Sequence, residues 1–100
     1  MPEESPIELS DILSSRGRIK ILELLSRTME LNISEIARRV GLNYSTTNRH
    51  LEKLEGAGIL TQKRFSRIRI YSFCENSSHA LAIKELVESW RSIDSHHAPM

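Results

Sequence analysis

Residues 32 to 60, which read NISEIARRVGLNYSTTNRHLEKLEGAGIL, decide the fold of this chain. Asn32, followed three residues later by Glu35, has the pattern of a helix N-terminus, a capping box with Asn in the cap position. Gly41 predicts the end of that helix, because glycine takes the left-handed conformation after a helix at no steric cost. Asn43 is then expected to cap a second helix. The stretch therefore predicts two short helices joined by a tight turn.

The second of these helices has two different faces. Thr47, Leu51 and Leu54 fall on one side at 100° per residue and are expected to face the core. Over its first turns the other side lacks the Glu–Lys pairs of an ordinary solvated helix and carries hydroxyls, an amide, an aromatic ring and a guanidinium. Such groups can meet base edges and phosphates in a major groove; alternatively, the Ser and Thr residues only favour the helix N-terminus. The expected DNA-binding residues of this helix are Tyr44, Ser45, Thr46, Asn48, Arg49 and Lys53.

Residues 41 to 60 resemble the recognition-helix signature of ArsR-type winged-helix regulators. The shared features are a Gly-Leu turn, a polar cap, a run of Ser and Thr, Arg-His-Leu, and Ala-Gly before an apolar pair. SSRGRIKILELLSR, residues 14 to 27, resembles the second helix of that family, and residues 59 to 73 resemble its wing. The resemblance implies a mainly α fold with a small β-hairpin, the winged helix-turn-helix. It also implies double-stranded DNA as the partner, a role in transcription regulation, and terminal helices that pair two subunits.

The charge is distributed as a one-faced DNA binder requires. The 100-residue chain has a formal net charge of only +1, but residues 44 to 73 carry six basic and two acidic side chains, and the remainder is net acidic. A local positive surface attracts phosphate without making the whole molecule adhesive. The length predicts one domain with a modest core, which a second subunit would help to stabilise.

The chain is expected to remain in the cytoplasm. Cys74 is the single cysteine, so no intramolecular disulfide is possible and a reducing compartment is expected. The N-terminal MPEESP lacks the apolar run of a signal peptide, and no stretch reaches the length of a membrane span.

The pattern predicts one domain over residues 5 to 93, with residues 1 to 4 disordered and residues 94 to 100 as a tail. Ser5 followed by Pro6 predicts the start of a first helix that ends near Leu13. A second helix is expected over residues 16 to 27, recapped by the preceding serines. Residues 29 to 32 form a connector or a short strand that pairs with the wing.

The wing is predicted as two strands, residues 59 to 65 and 68 to 73, around a turn at Ser66 and Arg67. Basic residues lie on both sides of the turn. They are expected to reach phosphates or the minor groove, although an edge hairpin protected by charge would show the same pattern. The wing residues expected at the DNA are Lys63, Arg64 and Arg67, with Arg69 as a further candidate.

The last helix is predicted over residues 78 to 93, and one of its faces is apolar. Such a stripe needs a partner surface, and a twofold homodimer is the commonest solution. Alternatively, the helix folds back on its own domain. The residues expected at the dimer interface are Ile83, Leu86, Val87 and Trp90.

No cofactor, metal or small-molecule effector is expected. The thiol sites of ArsR-type sensors use cysteines on the helix before the turn, which here reads ISEIARRV. Their zinc sites need several His or acidic ligands on the last helix, where His79 is present but Trp90 replaces the second histidine. Cys74 is a buried small hydrophobe or a redox switch, and His50 is packed or reaches a phosphate. No catalytic constellation is found, so an enzyme is not expected; the alternative function is a winged-helix module for protein–protein contact.

Overall fold

The computed structural model describes residues 7–96, which form five α-helices and one three-stranded antiparallel sheet. The sheet order is β1-β3-β2, so the connector strand lies beside the second strand of the wing. The mainly helical architecture with a small hairpin is the one the sequence predicted. The helices are α1 (Leu9–Leu13), α2 (Arg16–Thr28), α3 (Ile33–Val40), α4 (Tyr44–Gly56) and α5 (Ser78–His96), and the strands are β1 (Glu30–Asn32), β2 (Leu60–Phe65) and β3 (Ile68–Phe73).

The helix-turn-helix of α3 and α4 begins and ends where its capping residues indicate. The Asn32 side chain accepts a hydrogen bond from the Glu35 N–H at 2.9 Å, and the Asn43 side chain accepts one from the Thr46 N–H at 2.7 Å. Gly41 has φ 76°, the left-handed conformation that ends α3. Each such cap typically stabilises a helix by about 1 kcal/mol. The reciprocal half of the predicted capping box is absent, because the Glu35 carboxylate binds two arginines of its own helix.

Several element boundaries differ from the prediction. Helix α1 begins at Leu9, where the Glu8 N–H donates to Asp11 Oδ2 at 3.3 Å; the predicted start at Ser5 and Pro6 lies outside the described residues. Strand β2 begins one residue late, because the Ile59 N–H closes the end of α4 by donating to the Leu54 carbonyl at 3.0 Å.

Helix α5 continues to His96, beyond its predicted end at residue 93. The predicted end was the last residue of the apolar stripe, Ile93, but neither Asp94 nor Ser95 breaks a helix. The rest of the predicted tail, residues 97–100, lies outside the described residues.

The sheet register separates the wing into an inner and an outer face. Phe65 pairs with Ile68 across the two-residue turn, and Arg64 pairs with Arg69. Because side chains alternate along a strand, Arg64 and Arg69 share the inner face with the buried Tyr71. The outer face carries the alternate side chains of each strand. The predicted pairing of the connector with the wing is confirmed by the antiparallel β1–β3 ladder.

The core lies between the helices and the inner face of the sheet. Within residues 7–96, the largest fully buried side chains include Tyr71, Ile21, Leu22, Leu25, Ile36, Leu51 and Leu54. Thr47, also fully buried, lies on the same side of α4 as Leu51 and Leu54. The prediction that this side of α4 faces the core is therefore confirmed.

Helix α5 divides its apolar stripe between its own domain and the surface. Ala80 and Ile83 belong to the core, and the Arg91 guanidinium donates to Ser26 Oγ on α2 at 2.8 Å. Ile83 is only 6% exposed because its side chain packs in the core of its own domain, so little of it is left for a partner. Its place in a dimer interface stays a prediction. Further along the helix, Leu86 and Trp90 are exposed, and Val87 is half-buried against the core.

Candidate nucleic-acid interface

The surface of α4 carries the polar residues that the sequence assigned to it. Tyr44, Ser45, Arg49 and Lys53 are exposed. Thr46 and Asn48 are half-buried, at the edge of this surface. A row of hydroxyl, phenol, guanidinium and ammonium groups can donate and accept hydrogen bonds in several directions, as contacts with bases and phosphates require.

Arg69 joins the wing to this surface. Its Nη2 donates to Asn48 Oδ1 on α4 at 2.5 Å and to the Tyr71 hydroxyl oxygen at 2.6 Å. The guanidinium also lies 5.6 Å from the centre of the Tyr71 ring, and the hydrogen bond to Tyr71 raises the pKa of Arg69. Gln62 on β2 donates to the same hydroxyl at 3.2 Å. The inner face of the wing is therefore tied to α4 through a network of hydrogen bonds.

This network changes the interpretation of two predicted DNA contacts. Asn48 uses its amide oxygen for Arg69 and its amide nitrogen for Glu52, at 3.3 Å, so it holds the wing against the helix. Arg69 itself faces inward and is half-buried. The signal was present in the sequence: alternation puts Arg69 on the same face of β3 as Tyr71 and Phe73.

The remaining cations of the wing lie on different faces. Arg64 is exposed just before the turn, and Arg67 is exposed within it. Lys63 is on the outer face, and its ammonium lies 3.2 Å from Glu30 Oε1. Both partners of that pair are about half exposed, so the pair contributes little stability, but it partly neutralises Lys63. Among the described residues, Arg64 and Arg67 are therefore the cations that the wing presents at its surface without the carboxylate neighbour that Lys63 has.

His50 connects α4 to α2 beneath the exposed surface. Its Nδ1 lies 3.3 Å from Arg18 Nη1, and Arg18 also donates to the Asp11 carbonyl on α1. Burial lowers the pKa of His50, and the charges of Arg18 and Arg49 lower it further. A neutral imidazole that accepts from Arg18 fits this setting. His50 is therefore a packed residue in this structure, the first of the two interpretations that the sequence left open.

Helix α3 carries two further arginines, which share one carboxylate. Arg38 Nη2 and Arg39 Nε lie 2.9 and 3.0 Å from Glu35 Oε1. Hydrogen bonds from Arg38 and Arg39 lower the pKa of Glu35 to about 2. Because this carboxylate remains ionised, the cluster has less positive charge than its two guanidinium groups suggest.

Comparison with known proteins identifies the family. Residues 15–62 match the family model described as bacterial regulatory protein, arsR family, a span that includes α2, both helices of the helix-turn-helix and the start of the wing. The chain carries an ArsR-family winged helix-turn-helix domain. As a chain with a domain of this family, it is a DNA-binding transcriptional regulator.

Solved structures share the fold of this ArsR-family chain. The transcriptional repressor PagR of Bacillus anthracis is 27% identical, with a TM-score of 0.64 over 77% of this chain and 85% of PagR. HlyU from Vibrio cholerae is 24% identical, with a TM-score of 0.71 over 82% and 86% of the two chains. The homodimeric winged helix-turn-helix domain of Mb0332 from Mycobacterium bovis is 22% identical, with a TM-score of 0.69 over 91% and 83%. No curated protein matches the chain.

Cys74 and His79, which the sequence offers as metal ligands, lie in different surroundings. Cys74 is half-buried against the core, and its N–H donates to the Ile59 carbonyl at 2.9 Å. His79 is exposed near the start of α5. Among residues 7–96, no three His, Cys, Asp or Glu side chains come together in a way that could hold a metal ion. In the same part of the chain, no helix is long and apolar enough to cross a membrane.

Proposed function

We propose that this ArsR-family regulator binds a specific double-stranded DNA sequence as a homodimer in the cytoplasm, with α4 in the major groove and the wing on the flanking backbone or minor groove. The observation that carries the proposal is the hydrogen bond between Arg69 and Asn48. Through this bond the inner face of the wing is fixed beside the exposed surface of α4. Arg64, the cross-strand partner of Arg69, then continues the basic surface that starts at Arg49.

The residues of this surface have different proposed roles. Tyr44, Ser45, Thr46 and Arg49 read bases or bind the neighbouring phosphates, because they occupy the first turns of α4. Asn48 positions the wing. The cations proposed to hold the DNA backbone are Lys53, Arg64 and Arg67, with Lys63 adding positive potential at the rim.

The proposed dimer uses α1 and α5. On α5, Leu86, Trp90 and Ile93 are 46%, 63% and 55% exposed, which is a large apolar surface for a domain of this size. A groove of about 700 Å³ lies between α1, the end of α4 and the start of α5, and Leu9 and Ala57 are among its lining residues. A second copy related by a twofold axis would cover both surfaces. It would also set the two recognition helices about 34 Å apart, one turn of duplex.

The contribution of α4 can be tested with a matched pair of arginine variants. Arg49→Ala is expected to lower affinity for the specific site by about 5- to 150-fold, which corresponds to about 1–3 kcal/mol for a lost base contact. Arg38→Ala, on the surface of α3 and already paired with Glu35, is the control and should change affinity little. Fluorescence anisotropy with labelled duplex measures both. Equal affinities of the wild type and Arg49→Ala, with unchanged unfolding curves, would remove Arg49 from the interface.

The wing is tested by the salt dependence of binding. Replacing Arg64 and Arg67 together by Ala is expected to weaken binding to all DNA sequences similarly. The slope of log K against log salt should become shallower by about one to two, since each phosphate contact contributes about 0.9. A loss confined to one sequence, with an unchanged slope, would instead mean that these arginines read bases.

The alternative of a protein–protein interaction module has less support. Such a module has no need for exposed arginines around the wing turn or for a polar, mostly acid-free first half of α4. Both features are present here, and both suit a phosphate-rich partner.

A further inference from the structure

Two large apolar side chains are exposed at the tip of the wing. Phe65 and Ile68 are direct cross-strand partners that close the hairpin around Ser66 and Arg67. They are 57% and 52% exposed, although residues of this type are usually buried. Strand alternation puts both on the outer face, so they form a single apolar patch next to the turn.

The patch has no evident role in holding the domain together. Its side chains point away from the inner face, where Tyr71 and Phe73 pack in the core. The turn geometry depends on the backbone, with Ser66 at φ 58° and the ladder continuous from Phe65 to Leu60. A cross-strand apolar pair supports a hairpin only modestly. The exposure of both side chains therefore calls for a partner surface.

The charges around the patch indicate a polyanionic partner. Residues 56–74 contain no Asp or Glu, and Arg64 and Arg67 lie directly beside the apolar pair. The Lys63 ammonium lies 5.8 Å from the centre of the Phe65 ring. A partner that suits both features offers apolar surface between closely spaced negative charges. A DNA duplex meets this requirement, because stacked bases lie between two rows of phosphates.

The position of the patch favours DNA over an anionic membrane. The wing is fixed to α4 by the bond from Arg69 to Asn48, so its tip extends the surface proposed to bind DNA. The backbones of adjacent strands alone lie about 4.8 Å apart, and the side chains add to that width, whereas the minor groove is only about 6 Å wide. A hairpin tip with two large side chains therefore cannot enter an undistorted groove. Proteins that bind there commonly insert Phe, Ile or Leu between base steps and kink the duplex.

We propose that Phe65 and Ile68 form an apolar wedge that opens the minor groove beside the segment occupied by α4 and partly unstacks one base step. This inference rests on the DNA binding proposed above. Arg64 and Arg67 hold the phosphates on either side while the wedge contacts the bases. The duplex bends as a result, and the bend brings more backbone towards the basic side chains.

The wedge makes the wing a determinant of sequence preference without base-specific hydrogen bonds. Pyrimidine–purine steps such as TA and CA are the easiest to unstack and kink, whereas stiff steps resist deformation. The bound sequence should therefore contain a flexible step at a fixed distance from the segment read by α4. That preference should depend on the bulk of residues 65 and 68 and not on their hydrogen-bonding capacity.

The test uses the full chain and a duplex selected from random DNA by the wild type. A 2-aminopurine base is placed at successive flanking positions, and its fluorescence reports unstacking when protein binds. The double variant Phe65→Ala/Ile68→Ala is compared with the double variant Met29→Ala/Leu81→Ala, which removes two other exposed apolar side chains, both outside the hairpin. Gel mobility of circularly permuted duplexes measures the bend.

The wild type and the control variant should both raise the 2-aminopurine signal at one step and bend the duplex. They should also prefer a TA step over a GC step there by about fivefold or more, the lower range of a single base-pair change in a specific site. The tip variant should lose the signal, the bend and the preference while keeping its unfolding curve. Equal signal, bend and preference in wild type and tip variant would overturn the wedge alone.

Two other results would locate the failure differently. A wild type that selects no DNA sequence would overturn the proposed function, and the wedge with it. Vesicles of phosphatidylserine and phosphatidylcholine provide the membrane comparison. Binding to these vesicles that requires Phe65 and Ile68, with DNA bending unchanged in the tip variant, would overturn the wedge in favour of a lipid surface.

Discussion

Replacing Gly17 by Ala tests whether α2 and α4 are packed as closely as the structure shows. Gly17 lies in the first turn of α2, where a glycine lowers helix propensity without any need for a positive φ. A Cβ added there would lie 2.8 Å from His50 Nε2 and 3.1 Å from Leu42 Cδ1. The His50 ring cannot move freely, because its Nδ1 lies 3.3 Å from the Arg18 guanidinium.

Two opposing effects decide the size of the change. Gly→Ala in a helix interior stabilises by about 1 kcal/mol, and less in the first turn. Forcing an extra methyl group into a packed interface costs about 1–3 kcal/mol, and displacing His50 also endangers a hydrogen bond worth about 1 kcal/mol. Steric crowding should therefore outweigh propensity, and we expect Gly17→Ala to lower the free energy of unfolding by about 1–2 kcal/mol.

Urea unfolding followed by circular dichroism measures this difference, at one fixed protein concentration because dimerisation would alter the apparent stability. Gly56→Ala is the matched control. Gly56 ends α4, and among residues 7–96 a Cβ there would meet no atom within 4 Å beyond its chain neighbours and the backbone of its own helix. The control should be neutral or more stable by about 0.4–1 kcal/mol. If Gly17→Ala is stabilised as much as Gly56→Ala, the close approach of His50 is not a rigid contact and does not limit the residue at position 17.

Three further predictions concern the wing, the dimer and pH. Arg69→Leu should lower DNA affinity in anisotropy titrations with an unchanged salt slope, because it releases the wing without removing a phosphate contact; a shallower slope would make Arg69 a direct ligand. Leu86→Ala with Trp90→Ala should give a folded monomer in sedimentation, since both side chains are exposed in one subunit, and a monomeric wild type at high micromolar concentration would contradict the dimer. Burial lowers the pKa of His50 below its ordinary 6.5, so the unfolded chain binds the proton more readily, and stability should fall as pH drops from about 7.5 through 6.5 towards the lowered folded pKa. His50→Gln should lose less stability over that range in urea titrations, and an identical pH dependence would contradict a neutral packed imidazole.

The parts of the fold that the sequence predicted correctly depend on local interactions. Asn32, Gly41 and Asn43 act on backbone groups within a few residues, so their positions alone indicate where α3 and α4 begin and end. The turn at Ser66 and Arg67 followed from the strands on both sides, although no Gly or Asn marks it. Helical periodicity similarly predicted which side of α4 is buried.

The parts that could not be predicted depend on contacts between distant residues. Asn48 had the character of a base-reading amide, and only the approach of Arg69, 21 residues away, assigns it to the wing. Nothing in the sequence explained a glycine at position 17 of a helix, and the reason is the close approach of the His50 ring. On α5, periodicity identified one apolar stripe but not the point along it where the core of the domain ends, so it could not show that Ile83 is buried whereas Leu86 is exposed.

The most direct measurement of DNA recognition is the affinity of the wild-type chain for a duplex selected from random sequences, determined at several salt concentrations. If α4 and the wing form one DNA-binding surface on each half of a dimer, selection should enrich a palindrome with half-sites about one helical turn apart. Log K should then fall linearly with log salt, with a slope of about −0.9 for each phosphate contacted, and random duplex should bind at least about 1000-fold more weakly. Failure to enrich any sequence, or equal affinity for selected and random duplex, would contradict sequence-specific recognition by this surface.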